Sequence, residues 1–133
     1  MKRRRRKESG TLAPELELRY ARDRKGEPTV APGIRTEFLG VRDGLKVYAV
    51  DGLHVRNQLC QEFTCGGTGA RYSWIPYDEV WIDDCLGEMD REATILHEMI
   101  ERKAMLRGAS YDEGHAKANE VEQAWRKRHG RAA

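Results

Sequence analysis

The chain has 133 residues, enough for one domain with a real core, and it is polar, with 39% hydrophobic and 35% charged residues. No run approaches the roughly 18 uninterrupted apolar residues of a membrane helix, and the basic start lacks the apolar segment of an export signal, so neither a membrane protein nor an exported one is expected. The formal charge of +2 hides an asymmetry: residues 1–36 hold eleven Lys/Arg against five Asp/Glu, and residues 37–133 hold thirteen against seventeen.

The basicity therefore belongs to a leader. Lys2-Arg3-Arg4-Arg5-Arg6-Lys7 is a run of six cations that repel one another and stay solvated, so residues 1–36 are expected to form a disordered arm and linker. Arg3, Arg4, Arg5 and Arg6 are the candidate nucleic-acid contacts, acting through counterion release, and a solvated tail without a partner is the plain alternative. One short helix is conceivable around Glu15–Arg24.

The folded domain is expected over residues 37–133 as an α+β unit, a small antiparallel sheet of four or five short strands followed by two helices. Lys46–Val50 and Leu53–Arg56, joined by Asp51-Gly52, read as a hairpin with a type I′ turn. Gln61–Cys65 and Arg71–Ile75 read as a second hairpin around a glycine-rich loop; no Lys-Ser/Thr pair follows, so it is not a phosphate loop. Glu79–Asp83 reads as a strand, an edge along which an extended peptide could pair.

The last third is helical. Asp90 is a candidate N-cap, apolar positions Ala93, Leu96, Ile100 and Ala104 recur at helical spacing through Leu106, and Gly108 suits a left-handed helix end. Ser110 and Glu113 form a capping box that opens a second helix to about Arg128. With so short a link the two helices form an antiparallel hairpin. His97 and Glu101 lie one turn apart on the first, and His115 and Glu122 flank the apolar line of Gly114, Ala118, Val121 and Trp125 on the second. Counted from Ala109 at about 1.5 Å per residue, Glu101 falls level with His115 and His97 level with Glu122. Two imidazoles and two carboxylates facing one cleft are a donor set for a divalent metal, and an ionised Glu on such a stripe needs a cation or hydrogen bonds. The plain alternative is a metal-free His–Glu network.

His97-Glu98-x-x-Glu101 resembles the His-Glu-x-x-His helix of the zincin metallopeptidases, with Glu101 where the second His usually stands and His115 on the following helix, as the third ligand is in the gluzincin branch. The run of Val-Asp-Gly, Ile-Pro-x-x-Glu-x-Trp-Ile-Asp, His-Glu-x-x-Glu-Arg and Tyr-Asp-x-x-His over about residues 45–126 also resembles small, uncharacterised phage and bacterial proteins. The resemblance implies zinc (iron or manganese at an oxygen-richer site) held by His97, Glu101 and His115, with Glu122 as an alternative or fourth ligand. It implies Glu98 as general base, Tyr111 as a hydrogen-bond donor to the oxyanion, and a peptide or protein substrate. Glu98 paired with Arg102 in solvent is the plain reading of that carboxylate. A non-catalytic protein whose basic arm binds nucleic acid, with a structural metal or none, is the competing function.

The remaining candidates are bland. Cys60, Cys65 and Cys85, odd in number and unevenly spaced, argue against a disulfide framework and for a reducing, cytoplasmic setting. His54 and His129 are expected at the surface, and Trp74, Trp81 and Trp125 as core anchors. A di-iron carboxylate site would need Glu-x-x-His repeats on four helices, which are absent.

Overall fold

The computed structural model describes residues 27–129. The arm, its arginines Arg3–Arg6 and the conceivable helix at Glu15–Arg24 lie outside the described residues. The fold is α+β. Strands β1 (Arg35–Arg42), β2 (Leu45–Val50), β3 (Gly66–Thr68) and β4 (Glu79–Asp83) form one sheet in the order β1-β2-β4-β3. The helices are α1 (Gly52–Gln58), α2 (Glu88–Leu106) and α3 (Tyr111–His129).

The sheet is mixed rather than antiparallel. β1 and β2 form a hairpin whose turn is Asp43-Gly44, with φ of 51° and 80°, as a type I′ turn requires. β2 then runs parallel to β4, Val47 opposite Val80 and Ala49 opposite Ile82, and β4 is antiparallel to β3. The hairpin expected at Asp51-Gly52 is absent. Asp51 caps α1 instead, its Oδ1 accepting from the His54 amide at 3.1 Å, so Leu53–Arg56 is helical. The second expected hairpin is also absent: the glycine-rich segment supplies β3 itself, and Arg71–Ile75 is irregular.

β4 is correct at both ends but is a central strand, buried along its whole length and paired on both sides, so it offers no free edge. Its alternation sorts the core. Val80 and Ile82 join Leu45, Val47 and Ile95 under α2, and Trp81 joins Ile34, Val50, Val55, Phe63 and Ile75 on the opposite face. Ile34, read from sequence as part of the linker, is 1% exposed. Glu79 is buried on the Trp81 side, where Trp81 Nε1 donates to its Oε1 at 2.9 Å and Arg35 pairs with it through Nε at 3.1 Å and Nη2 at 2.7 Å.

α2 begins one turn earlier than expected, with Gly87 as N-cap and Asp90 inside the first turn. It is sandwiched between the sheet and α3, so it has two inward faces: Ile95, outside the stripe read from sequence, is the residue fully buried on the sheet. Gly108 adopts φ of 106°, and the Ser110–Glu113 capping box forms, the Glu113 amide donating to Ser110 Oγ at 3.1 Å and the Ser110 amide to Glu113 Oε1 at 2.9 Å. α3 packs on α2, not on the sheet. Trp81 is a core anchor and Trp74 packs beside it, but Trp125 is half-buried and stacks on the exposed His129 ring at 4.5 Å. Among the described residues no helix is long and apolar enough to cross a membrane. Cys60, Cys65 and Cys85 are free thiols.

Candidate metal centre

The helix pair brings His97, Glu101 and His115 together, with one ligand atom from each lying within 4.8 Å of the others. His115 Nδ1 is 2.8 Å from Glu101 Oε2 and 3.2 Å from His97 Nε2, and His97 Nε2 is 3.4 Å from Glu101 Oε2. Four-coordinate zinc with bonds of about 2.0–2.2 Å sets its ligand atoms roughly 3.3 Å apart, so this triangle has the spacing of three tetrahedral corners. The same three contacts are also of hydrogen-bond or ion-pair length, as a His–Glu network would have them. The donor set fits a divalent cation of zinc type.

Glu122 lies level with His97, as the helix arithmetic requires, but on the far side of the ring. Its Oε1 is 2.8 Å from His97 Nδ1 and its Oε2 accepts from Arg126 Nε at 2.8 Å, while Arg126 Nη1 reaches Asp90 at 2.8 Å. An ionised Glu122 makes Nδ1 the donor and leaves the Nε2 lone pair of neutral His97 facing Glu101 and His115. Burial works against protonation of His97, but the carboxylates of Glu101, Glu98 and Glu122 outweigh it and raise its pKa.

Glu98 is not the solvated residue of the plain reading. It is 7% exposed, its Oε1 has no hydrogen-bond partner, and burial together with the nearby Glu101 pushes its pKa up to about 8. It lines a cleft of about 200 Å³ shared with all three members of the cluster. Tyr111 closes one side, its ring stacked on His115 at 5.3 Å and its hydroxyl 3.4 Å from His115 Nδ1. Gly114 lets α3 lie close to α2 beside the centre: a Cβ there would sit 3.2 Å from the Glu101 carbonyl oxygen.

The cleft also contains residues to which the sequence drew no attention. Arg71 and Tyr72 reach it from the irregular segment after β3, a placement with no local signature. Arg126, by contrast, was readable as an i+4 partner of Glu122. His54 and His129 lie apart from the cluster, His54 half-buried and His129 exposed. Compared with protein-family models, curated proteins and solved structures, the chain has no match.

Proposed function

We propose that the chain is a small zincin-like metallopeptidase of the cell interior, in which His97, Glu101 and His115 hold zinc and Glu98 is the general base. The observation that carries the reading is the triangle of ligand atoms from two helices, 2.8 to 3.4 Å on its sides, with the buried, unpartnered Glu98 oxygen in the same cleft. Zinc bound there would supply a nucleophilic water at neutral pH and polarise the substrate carbonyl. Three carboxylates around two imidazoles, with one carboxyl pushed up to about 8, form a centre short of positive charge.

Each protein group then has a task. Glu122 holds the His97 ring in the tautomer that leaves Nε2 unprotonated. Glu98, whose carboxyl is pushed up by burial and by the nearby Glu101, would accept the water proton beside a bound cation and deliver it to the leaving amine. The Tyr111 hydroxyl donates to the carbonyl oxygen as negative charge develops. The extended peptide pairs with β3, the sheet edge whose Gly66 lines the cleft, in place of the buried β4.

Elemental analysis of the purified protein tests this. One equivalent of zinc is expected, lost in His97→Ala and His115→Ala, with hydrolysis of an unfolded polypeptide abolished in both. A protein that folds and takes up no zinc overturns the reading.

A further inference from the structure

The cleft holds two arginines in opposite situations. Arg126 is committed to Glu122 and Asp90. Arg71 makes no ion pair among the described residues, although Glu62, Glu98, Glu101 and Glu122 line the same cleft, and its Nε is buried without a hydrogen-bond partner. Nor is Arg71 loose. Its guanidinium carbon lies 3.8 Å over the Tyr111 ring and 5.3 Å from the Tyr72 ring centre, and its amide donates to the Thr68 carbonyl at 3.2 Å. Tyr111 in turn stacks on His115, so the guanidinium is fixed one ring away from a proposed ligand.

The guanidinium also hydrogen-bonds the Tyr111 hydroxyl, and a guanidinium laid on aromatic faces still has N–H groups left for a carboxylate. Arg71 is half-buried with its Nε unpartnered, a donor that is costly to leave unsatisfied, and the unpartnered Glu98 oxygen in the same cleft has not closed on it. Two opposite groups that share a cleft and remain apart are arranged for something that enters between them. A cleft of about 200 Å³ is smaller than the roughly 300–1,000 Å³ of sites for larger ligands, and suits one residue.

Resting on the metal reading above, we infer that Arg71 receives a carboxylate of the substrate, and that the substrate is a peptide whose last residue, with its free C-terminal carboxylate, occupies the cleft. Hydrolysis of the last amide bond consumes one water. The water oxygen joins the acyl carbon, the carbon–nitrogen bond breaks, and Glu98 carries a water proton to the amine of the departing residue. An Asp or Glu side chain would present the same chemistry.

The test is direct binding of dansyl-Gly-Phe and its C-terminal amide, and of the amides of dansyl-Gly-Glu and dansyl-Gly-Gln, to the full chain with and without zinc. The free acid should bind about 10- to 100-fold more tightly than its amide, as a charge-assisted pair dictates. Arg71→Ala should bring that ratio to about one with the zinc equivalent retained, and Arg71→Lys should keep part of it. Preference for Glu over Gln, with acid and amide termini equal, would keep the carboxylate receptor and move its source to a side chain. Wild-type protein indifferent within both pairs, or discrimination that survives in Arg71→Ala with the wild-type circular dichroism, overturns the inference. Failure to bind zinc refutes the metal reading alone, because the ratio is also read on zinc-free protein.

Discussion

Replacing Glu122 separates a carboxylate that orients a ligand from one that is itself a ligand. Both of its oxygens are engaged, Oε1 with His97 Nδ1 and Oε2 with Arg126 Nε, each at 2.8 Å, and Glu122 is not one of the three residues whose ligand atoms converge. An outer carboxylate of this kind is worth about 10- to 100-fold in metal affinity, or about 1.4–2.7 kcal/mol. Glu122→Ala should therefore weaken zinc binding by that factor while the stoichiometry stays at one. Glu122→Gln keeps an acceptor for His97 but turns an amide NH2 toward Arg126, so its loss should be the smaller of the two. The assay is competition with a chromophoric chelator at fixed pH and ionic strength. Unchanged affinity in Glu122→Ala would show that the 2.8 Å contact orients nothing. Loss of the stoichiometric site would make Glu122 a ligand, and the division of roles between the two sides of the His97 ring would be wrong.

Glu98→Gln should keep the zinc equivalent and the thermal midpoint but lose hydrolysis by about 10²- to 10⁴-fold, the ordinary worth of a general base; residual activity above a tenth of wild type refutes the assignment. Asp83 is buried, which by itself pushes its carboxyl up, but the Cys85 amide at 3.0 Å and Arg56 at 2.9 Å outweigh burial and leave it below the usual range. A depressed carboxyl contributes its stability above the ordinary carboxylate pKa, near 4, and loses it as pH falls through the native value. Asp83→Asn should thus cost about 1–3 kcal/mol at pH 7 by urea unfolding, and the gap should begin to narrow as pH falls below about 4. A gap that does not narrow as pH falls below about 4 refutes the argument. Deleting residues 1–10 should flatten the salt dependence of DNA or RNA binding by up to about five logarithmic units per decade, since six cations are removed; an unchanged slope leaves the arm without that role.

What the sequence revealed follows from how local each signal is. The helix hairpin was legible because a capping box, a left-handed glycine and the 3.6-residue repeat act within a few residues, and they carried the cross-helix pairing of Glu101 with His115 and His97 with Glu122. The strand Glu79–Asp83 was legible from its composition, but its central position was not, because parallel pairing with β2 is made across a long crossover. The Asp-Gly dipeptides failed for a different reason. Asp43-Gly44 and Asp51-Gly52 present the same local chemistry, and an Asp with a free carboxylate serves a turn or a helix N-cap equally well; the tertiary fold assigns the turn to the first and the cap to the second. Gly66–Thr68 read as a loop because glycine is a poor strand former, yet a Cβ at Gly66 would meet the Trp81 carbonyl oxygen at 2.7 Å, so the strand closes on β4 only without one. Arg71 had no signal at all, because Tyr111, on whose ring its guanidinium lies, comes from another element.

The polarity of the centre bears on how the last helix is held. Of the 19 residues of α3 only Gly114 and Ala118 are buried, so apolar burial supplies little of its attachment. The contacts along the seam are instead His97 with Glu122, Glu101 with His115, and Asp90 with Arg126. The first two are part-buried and come close to breaking even against desolvation, and the exposed Asp90–Arg126 pair contributes little. A cation that took the His97–Glu101–His115 triangle would relieve the carboxylate excess and tie α2 to α3 with the same bonds. Ligand affinity that exists only in the docked state is docking free energy, so under the proposed reading cation binding and closure of the helix pair are one equilibrium. The sheet, whose core is formed without α3, stands outside it. A thin apolar seam is thus what a helix would have if its attachment were left to the ion, and the polar face that limits apolar packing is the one that would hold a cation under the proposed reading.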